Sequence, residues 1–293
     1  MVDIVYTTTS DWLEMMGVHF AAINDVCVIE VHWQCGNIIE NKFSVMLWYE
    51  LQKAGVWYIY GHNRGYSHIN DIYNSHTNDY VRFWAQYEIF EDSRKDTEVR
   101  VQYAVQQGYK KIILLGHSLG ASKVVSYLYE YMPSCVVAVI LCSPADMVGL
   151  AKGRCLNHED VMQHAVTSIE SGNPRAIVAQ NRYEWIEHVS AQTYYSCQKE
   201  DTSVDCIPIV DKEKPSKALA ALTVPVLLLR AKDDHVIVTS IDEDAMILKT
   251  KMRNAPRVDV RSVPWDHVYK NNETEYANVI VDRVLSWMQP NNE

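Results

Sequence analysis

The chain has 293 residues, 48% of them hydrophobic, and a formal net charge of −10. That length and composition allow a sizeable core in one large domain or two small ones. The acidic balance argues against a nucleic-acid partner, and no run of eighteen apolar residues is present to span a membrane.

Residues 4–22 read as two antiparallel strands, with Thr7-Thr8-Thr9 β-branched and Ser10-Asp11 as a turn signal. Residues 26–31 form a buried-strand run that opens into His32-Trp33-Gln34-Cys35-Gly36-Asn37. Phe43, Leu47, Leu51 and Ala54 then mark one face of a helix closed by Gly55. A strand over 56–60 leads to Asn63-Arg64-Gly65, and the polar stretch 67–80 is expected to be loop. Helical spacing of Val101, Ala104, Val105 and Gly108 predicts a helix near 91–107.

The apolar run Ile112-Ile113-Leu114-Leu115 enters Gly116-His117-Ser118-Leu119-Gly120, and Val124, Tyr127, Leu128 and Tyr131 follow at helical spacing. This is the strand–turn–helix setting of a G-x-S-x-G nucleophile elbow, where flanking side chains would clash. Strands are expected over 136–142, 224–229 and 258–263, and a closing helix carries Tyr276, Ile280, Val284 and Trp287. Strands alternating with helices predict an α/β fold with a mostly parallel sheet, and the motifs named above sit at strand ends, where such sheets bind ligands. The stretch 147–222 lacks this alternation and has helical patterns near 158–171 and 174–188. It is expected to be a cap inserted late in the sheet, leaving 1–146 and 223–293 as the core.

A serine hydroxyl needs a base, and the base needs an orienting acid. After Ser118, the acid should end a later strand and the histidine should follow the last one. Asp233 and Asp234 compete for the first role. His235 and His267 are the histidines beyond the cap. His235, adjacent to the acid, is expected to point elsewhere, so His267 is the better base. An oxyanion hole needs two backbone N–H groups, assigned to Leu119 and Gln34.

Together these residues resemble the α/β-hydrolase superfamily, in particular its esterase- and lipase-like serine hydrolases with a cap. The resemblance spans nearly the whole chain. It rests on the elbow, on Asp234 three residues after Ala231, on His267, and on His32, Gly36 and Asn37 of an oxyanion-type motif in which Trp33 replaces a glycine. The resemblance implies an acid three residues after Ala231, at Asp234, and so demotes Asp233. Asn63-Arg64-Gly65 resembles a turn that is structural in such proteins. The resemblance implies a catalytic triad of Ser118, Asp234 and His267, acyl-enzyme chemistry on Ser118, and no cofactor.

The expected partner is a small-molecule ester, carried to bulky esters and macrolactones by the cap and its aromatics. Trp33, His117, Trp185 and Tyr194 are candidate pocket residues. A thioesterase, cyclase or lyase using the same triad, or a binding protein of the same fold, are the alternatives. No metal is expected, since no H-E-x-x-H or C-x-x-C spacing occurs. The seven cysteines, odd in number, read as a reducing, cytoplasmic setting. Cys197 and Cys206 are close enough in sequence to bridge in a secreted protein. Residues 1–7 show no signal peptide. The oligomeric state is left open.

Overall fold

A computed structural model describes residues 2–67, 70–155, 157–183 and 186–289, with backbone alone at 179–183 and 186–187. In chain order the elements begin with strands β1 (Val2–Thr8), β2 (Glu14–Phe20) and β3 (Val26–Val31), then helix α1 (Lys42–Lys53) and β4 (Trp57–Gly61). A hairpin of β5 (Asn70–Asn74) and β6 (Asp79–Phe83) precedes α2 (Ser93–Gln106), β7 (Lys111–His117), α3 (Leu119–Glu130) and β8 (Val136–Cys142). Next come α4 (Met147–Arg154), α5 (His158–Glu170), β9 (Ile177–Tyr183), β10 (Ile186–Ser190), α6 (Ala191–Gln198) and α7 (Lys217–Ala220). The chain closes with β11 (Val226–Asp233), α8 (Ile241–Lys251), β12 (Val258–Asp266) and α9 (Glu273–Met288).

Eight strands form one sheet in the order β1-β2-β4-β3-β7-β8-β11-β12. β1 pairs antiparallel with β2, and β2 antiparallel with β4; every later pairing is parallel. Side chains alternate across the pleat, and both faces are covered. On β7, Ile112 and Leu114 face a core shared with Val101 and Ala104 of α2 and Val124 and Leu128 of α3. Ile113 and Leu115 face the opposite core with Leu47 and Leu51 of α1 and Ile280 and Val284 of α9. Burial on both faces explains why β7 and β8 read as apolar runs, and β3 as one interrupted only by Glu30. Each such side chain contributes about 1.5–3 kcal/mol by leaving water.

Three element readings are corrected. The stretch 67–80 is not loop throughout, because its later part enters the β5–β6 hairpin, whose register pairs Asn70 with Phe83 and Asn74 with Asp79. The helix expected over 174–188 is instead the β9–β10 hairpin, with Ile177 opposite Ser190. Val105 and Tyr131 do not share the buried faces of their helices, being 48% and 50% exposed. In each case the packing around the segment, rather than its own weak periodicity, decides the outcome.

Between β8 and β11 the chain leaves the sheet. Val161, Ala165, Val189, Ala191 and Tyr194 make a small core of their own there. Cys206, Ile207, Ile209, Leu219 and Leu222 already pack in the core of β7 and α3. All seven cysteines are free thiols. Among the described residues no helix is long and apolar enough to cross a membrane.

Candidate active site

The C-terminal ends of the parallel strands gather the candidate residues on one rim of the sheet. Ser118 lies between the last residue of β7 and the first of α3, at φ 55° and ψ −122°. A non-glycine residue in this region carries strain of about 1–3 kcal/mol and persists only where its surroundings enforce it. The two glycines show what enforces it. A Cβ at Gly116 would lie 2.4 Å from the Gly120 carbonyl oxygen, and one at Gly120 would lie 2.1 Å from the Val31 carbonyl oxygen. The start of α3 is therefore seated backbone-to-backbone on the end of β3. The Ser118 N–H donates to the Cys142 carbonyl at 2.9 Å, tying the turn to β8 as well. Leu119 is the first helical residue, so its N–H lies among those an α-helix cannot satisfy internally.

Asp234 and His267 are brought together by strand register. Asp233 pairs with Asp266 across β11 and β12, so the next residue of each strand leaves the sheet beside the other. His267 Nδ1 lies 2.8 Å from Asp234 Oδ1, and both side chains are buried. Burial opposes the charge on Asp234. The His267 hydrogen bond and charge, the Val236 N–H at 2.9 Å and the nearby Ser143 hydroxyl outweigh that and hold the carboxyl well below the usual carboxylate range. With Nδ1–H committed to the carboxylate, Nε2 of His267 is left as the basic lone pair. It is buried and has no hydrogen-bond partner among the described residues.

His117 has no exposed surface, so the structure places it beneath the site rather than on a pocket wall. Its Nε2–H donates to the His267 carbonyl at 2.8 Å. Burial and the neighbouring His267 push its pKa down to about 3, so the ring is neutral. Trp33 stands beside both imidazoles, with ring centroids 5.7 Å from His117 and 6.0 Å from His267. A Cβ at Gly36 would lie 2.5 Å from Trp33 Cδ1, so the indole needs that glycine. Trp33 and Gln34 also line a cleft of about 460 Å³ with Phe43, Asn41 and Val268.

The other pocket candidates fall elsewhere. Tyr194 is fully buried in the small core of the insertion, its hydroxyl 2.8 Å from His158 Nδ1, so it offers no pocket surface. Trp185 lies outside the described residues. His235 does not point away as expected; its ring meets that of His267 edge-on, with centroids 4.4 Å apart.

Several contributors lie far away in sequence. The Asn63 N–H donates to His32 Nε2 at 2.7 Å, linking the Asn-Arg-Gly turn to the loop after β3. Arg64 is itself buried against Asp96, at 2.8 Å, with Asp11 at 3.0 Å. The Tyr269 hydroxyl lies 3.1 Å from Ser143 Oγ, behind Asp234. Lys123, on α3 just past the elbow, is wholly buried and ion-paired with Glu88. No local sequence signal marks these partners, although a lysine inside an apolar helix face is one that could have been followed.

Residues 84–254, more than half of the chain, match the sequence model of the family described as serine aminopeptidase, S33. The chain belongs to this family and is a hydrolase of the α/β-hydrolase class. The match takes in Ser118 and Asp234 and stops before His267. Among solved structures, the fold is similar to the ferulic-acid-bound Est1E of Butyrivibrio proteoclasticus, with 13% identity, a TM-score of 0.66, and 97% of this chain and 99% of that one covered. It is also similar to the esterase Pf2001 of Pyrococcus furiosus, with 14% identity, a TM-score of 0.62, and 99% and 91% covered. The siderophore hydrolase EstB of Aspergillus fumigatus shares 13% identity at a TM-score of 0.65, with 98% and 97% covered. No protein of curated function matches the chain.

Proposed function

We propose that this hydrolase cleaves carboxylic esters through an acyl-enzyme on Ser118. The observation that carries the reading is the joint presence, at the ends of β7, β11 and β12, of a strained serine elbow and a buried Asp234–His267 pair at 2.8 Å. Ser118 Oγ attacks the ester carbonyl while His267 Nε2 takes its proton. The oxyanion is held by the N–H groups of Leu119 and Gln34. His267 then protonates the leaving alkoxide, and in the second half it activates the water that releases the acid. Asp234 orients His267 and stabilises its charged form.

Bulky esters are the proposed substrates, and large lactones undergo the same chemistry. The named esterases of this fold, one of them holding ferulic acid, support a search among esters of bulky and aromatic acids. Residues 147–222, with the small core between α5 and α6, are proposed as the cap over the rim. The family name favours a second reading, an N-terminal peptide amide as substrate. Intact mass after exposure to a fluorophosphonate tests the nucleophile: one adduct, absent in Ser118→Ala, is expected. A panel of esters, thioesters, lactones and aminoacyl amides then separates the readings. Turnover confined to the amides sinks the esterase assignment, and an unlabelled protein sinks the serine nucleophile.

A further inference from the structure

The structure brings a third residue to the Asp234–His267 pair. One donor atom from each of Asp234, His235 and His267 lies within 4.8 Å of the others. His267 is 3% exposed and its Nε2 has no hydrogen-bond partner among the described residues, whereas His235 is exposed among them. Two imidazoles with a carboxylate are a donor set for Zn²⁺ or a similar transition ion rather than for Mg²⁺ or Ca²⁺. The pair is also arranged as metal sites arrange their histidines, with one ring nitrogen held by a carboxylate and the other left to bind.

We propose that His235 and His267, supported by Asp234, form an inhibitory Zn²⁺ site that switches the hydrolase off. The inhibition rests on the reading of His267 as base; the binding does not. A tetrahedral Zn²⁺ with bonds of about 2.0–2.1 Å places its donors about 3.3 Å apart. Closing from the present spacing to that one needs only a change of side-chain rotamer at His235. Coordination through either nitrogen of His267 stops turnover. At Nε2 the ion occupies the lone pair that must take the serine proton. At Nδ1 it displaces the proton held by Asp234. No bond in the substrate is involved, and removing the ion restores the base.

The test separates binding from activity. Zn²⁺ binding is measured by competition with a chromophoric chelator on Ser118→Ala protein, which needs no turnover, and on the same protein carrying His235→Ala or His235→Gln. One equivalent of Zn²⁺, weakened about tenfold or more by either His235 change, is expected. In the parent enzyme, Zn²⁺ abolishes hydrolysis and a chelator restores it; His235→Ala keeps the parent rate in chelator and resists Zn²⁺. Binding that survives both His235 changes places the ion elsewhere, for instance on a free thiol, and overturns the proposal, as does the absence of binding. His235-dependent binding in a protein without esterase activity leaves the metal site standing and sinks the esterase reading alone.

Discussion

The Nδ1 of His32 lies 2.6 Å from the carbonyl oxygen of Trp33, the residue beside it. Because the Asn63 N–H must be the donor in its contact with His32 Nε2, the proton of a neutral His32 is on Nδ1, and it is donated to Trp33. Burial and the charge of Lys123 keep His32 neutral by pushing its pKa well below the usual range. The Trp33 carbonyl and the Gln34 N–H belong to one rigid peptide plane, so fixing the first aims the second.

With the Gln34 N–H as the proposed oxyanion donor, His32→Ala is expected to lower kcat about 10²–10³-fold, with little change in KM. Steady-state kinetics on an ester substrate, together with a thermal melt, check this. An unchanged kcat in a variant that merely melts earlier sinks the positioning role.

Asp234→Asn keeps the size of the side chain and removes the charge that stabilises protonated His267. It also favours the wrong His267 tautomer. A fall of about 10⁴ in kcat is expected for such a change. A variant within tenfold of the parent reassigns the acid, with Asp233 the next residue to substitute.

Glycine substitutions separate crowding from propensity. Gly120→Ala places a Cβ against the Val31 carbonyl, and neither backbone can yield without unseating α3 from β3. A loss of about 3 kcal/mol or more is expected on urea unfolding. Gly153, in α4, has open space around its added Cβ. Gly153→Ala should leave stability unchanged or raise it by up to about 1 kcal/mol. Equal losses at the two positions refute the seating.

Glu30 predicts a pH dependence of stability. It is wholly buried in β3, accepting from Ser44 Oγ and Tyr58 OH at 2.6 Å each. Burial, only partly offset by those two hydrogen bonds, raises its pKa from 4.5 to about 7. A raised folded-state pKa means that the folded chain holds the proton more tightly. Its stabilising contribution is complete below about pH 4.5 and is lost as the pH rises through about 7. The difference corresponds to about 3 kcal/mol. Glu30→Gln should flatten this part of the stability profile between pH 5 and 8, as read by chemical denaturation. Parallel profiles for the parent and the variant refute the assignment.

Ser118, Asp234 and His267 stand out in sequence because each belongs to a local pattern. An apolar run ends in a glycine-flanked turn, an aspartate lies three residues after Ala231, and a histidine follows the last strand. The α/β class, the parallel core strands and the packed faces of α1 and α9 are legible for the same reason, since hydrophobic period is a property of neighbours in the chain. What only the tertiary structure decided is non-local. The strand order, the burial of Tyr194, and the turn of His235 toward His267 depend on residues tens of positions apart, and the two short hairpins over 70–83 and 177–190 on which strand lies across each turn. So do the Asn63–His32 contact and the Lys123–Glu88 pair. Their polar side chains carry no periodic signal, and each takes its place because a group that leaves water must find its partner wherever the packed core has put it.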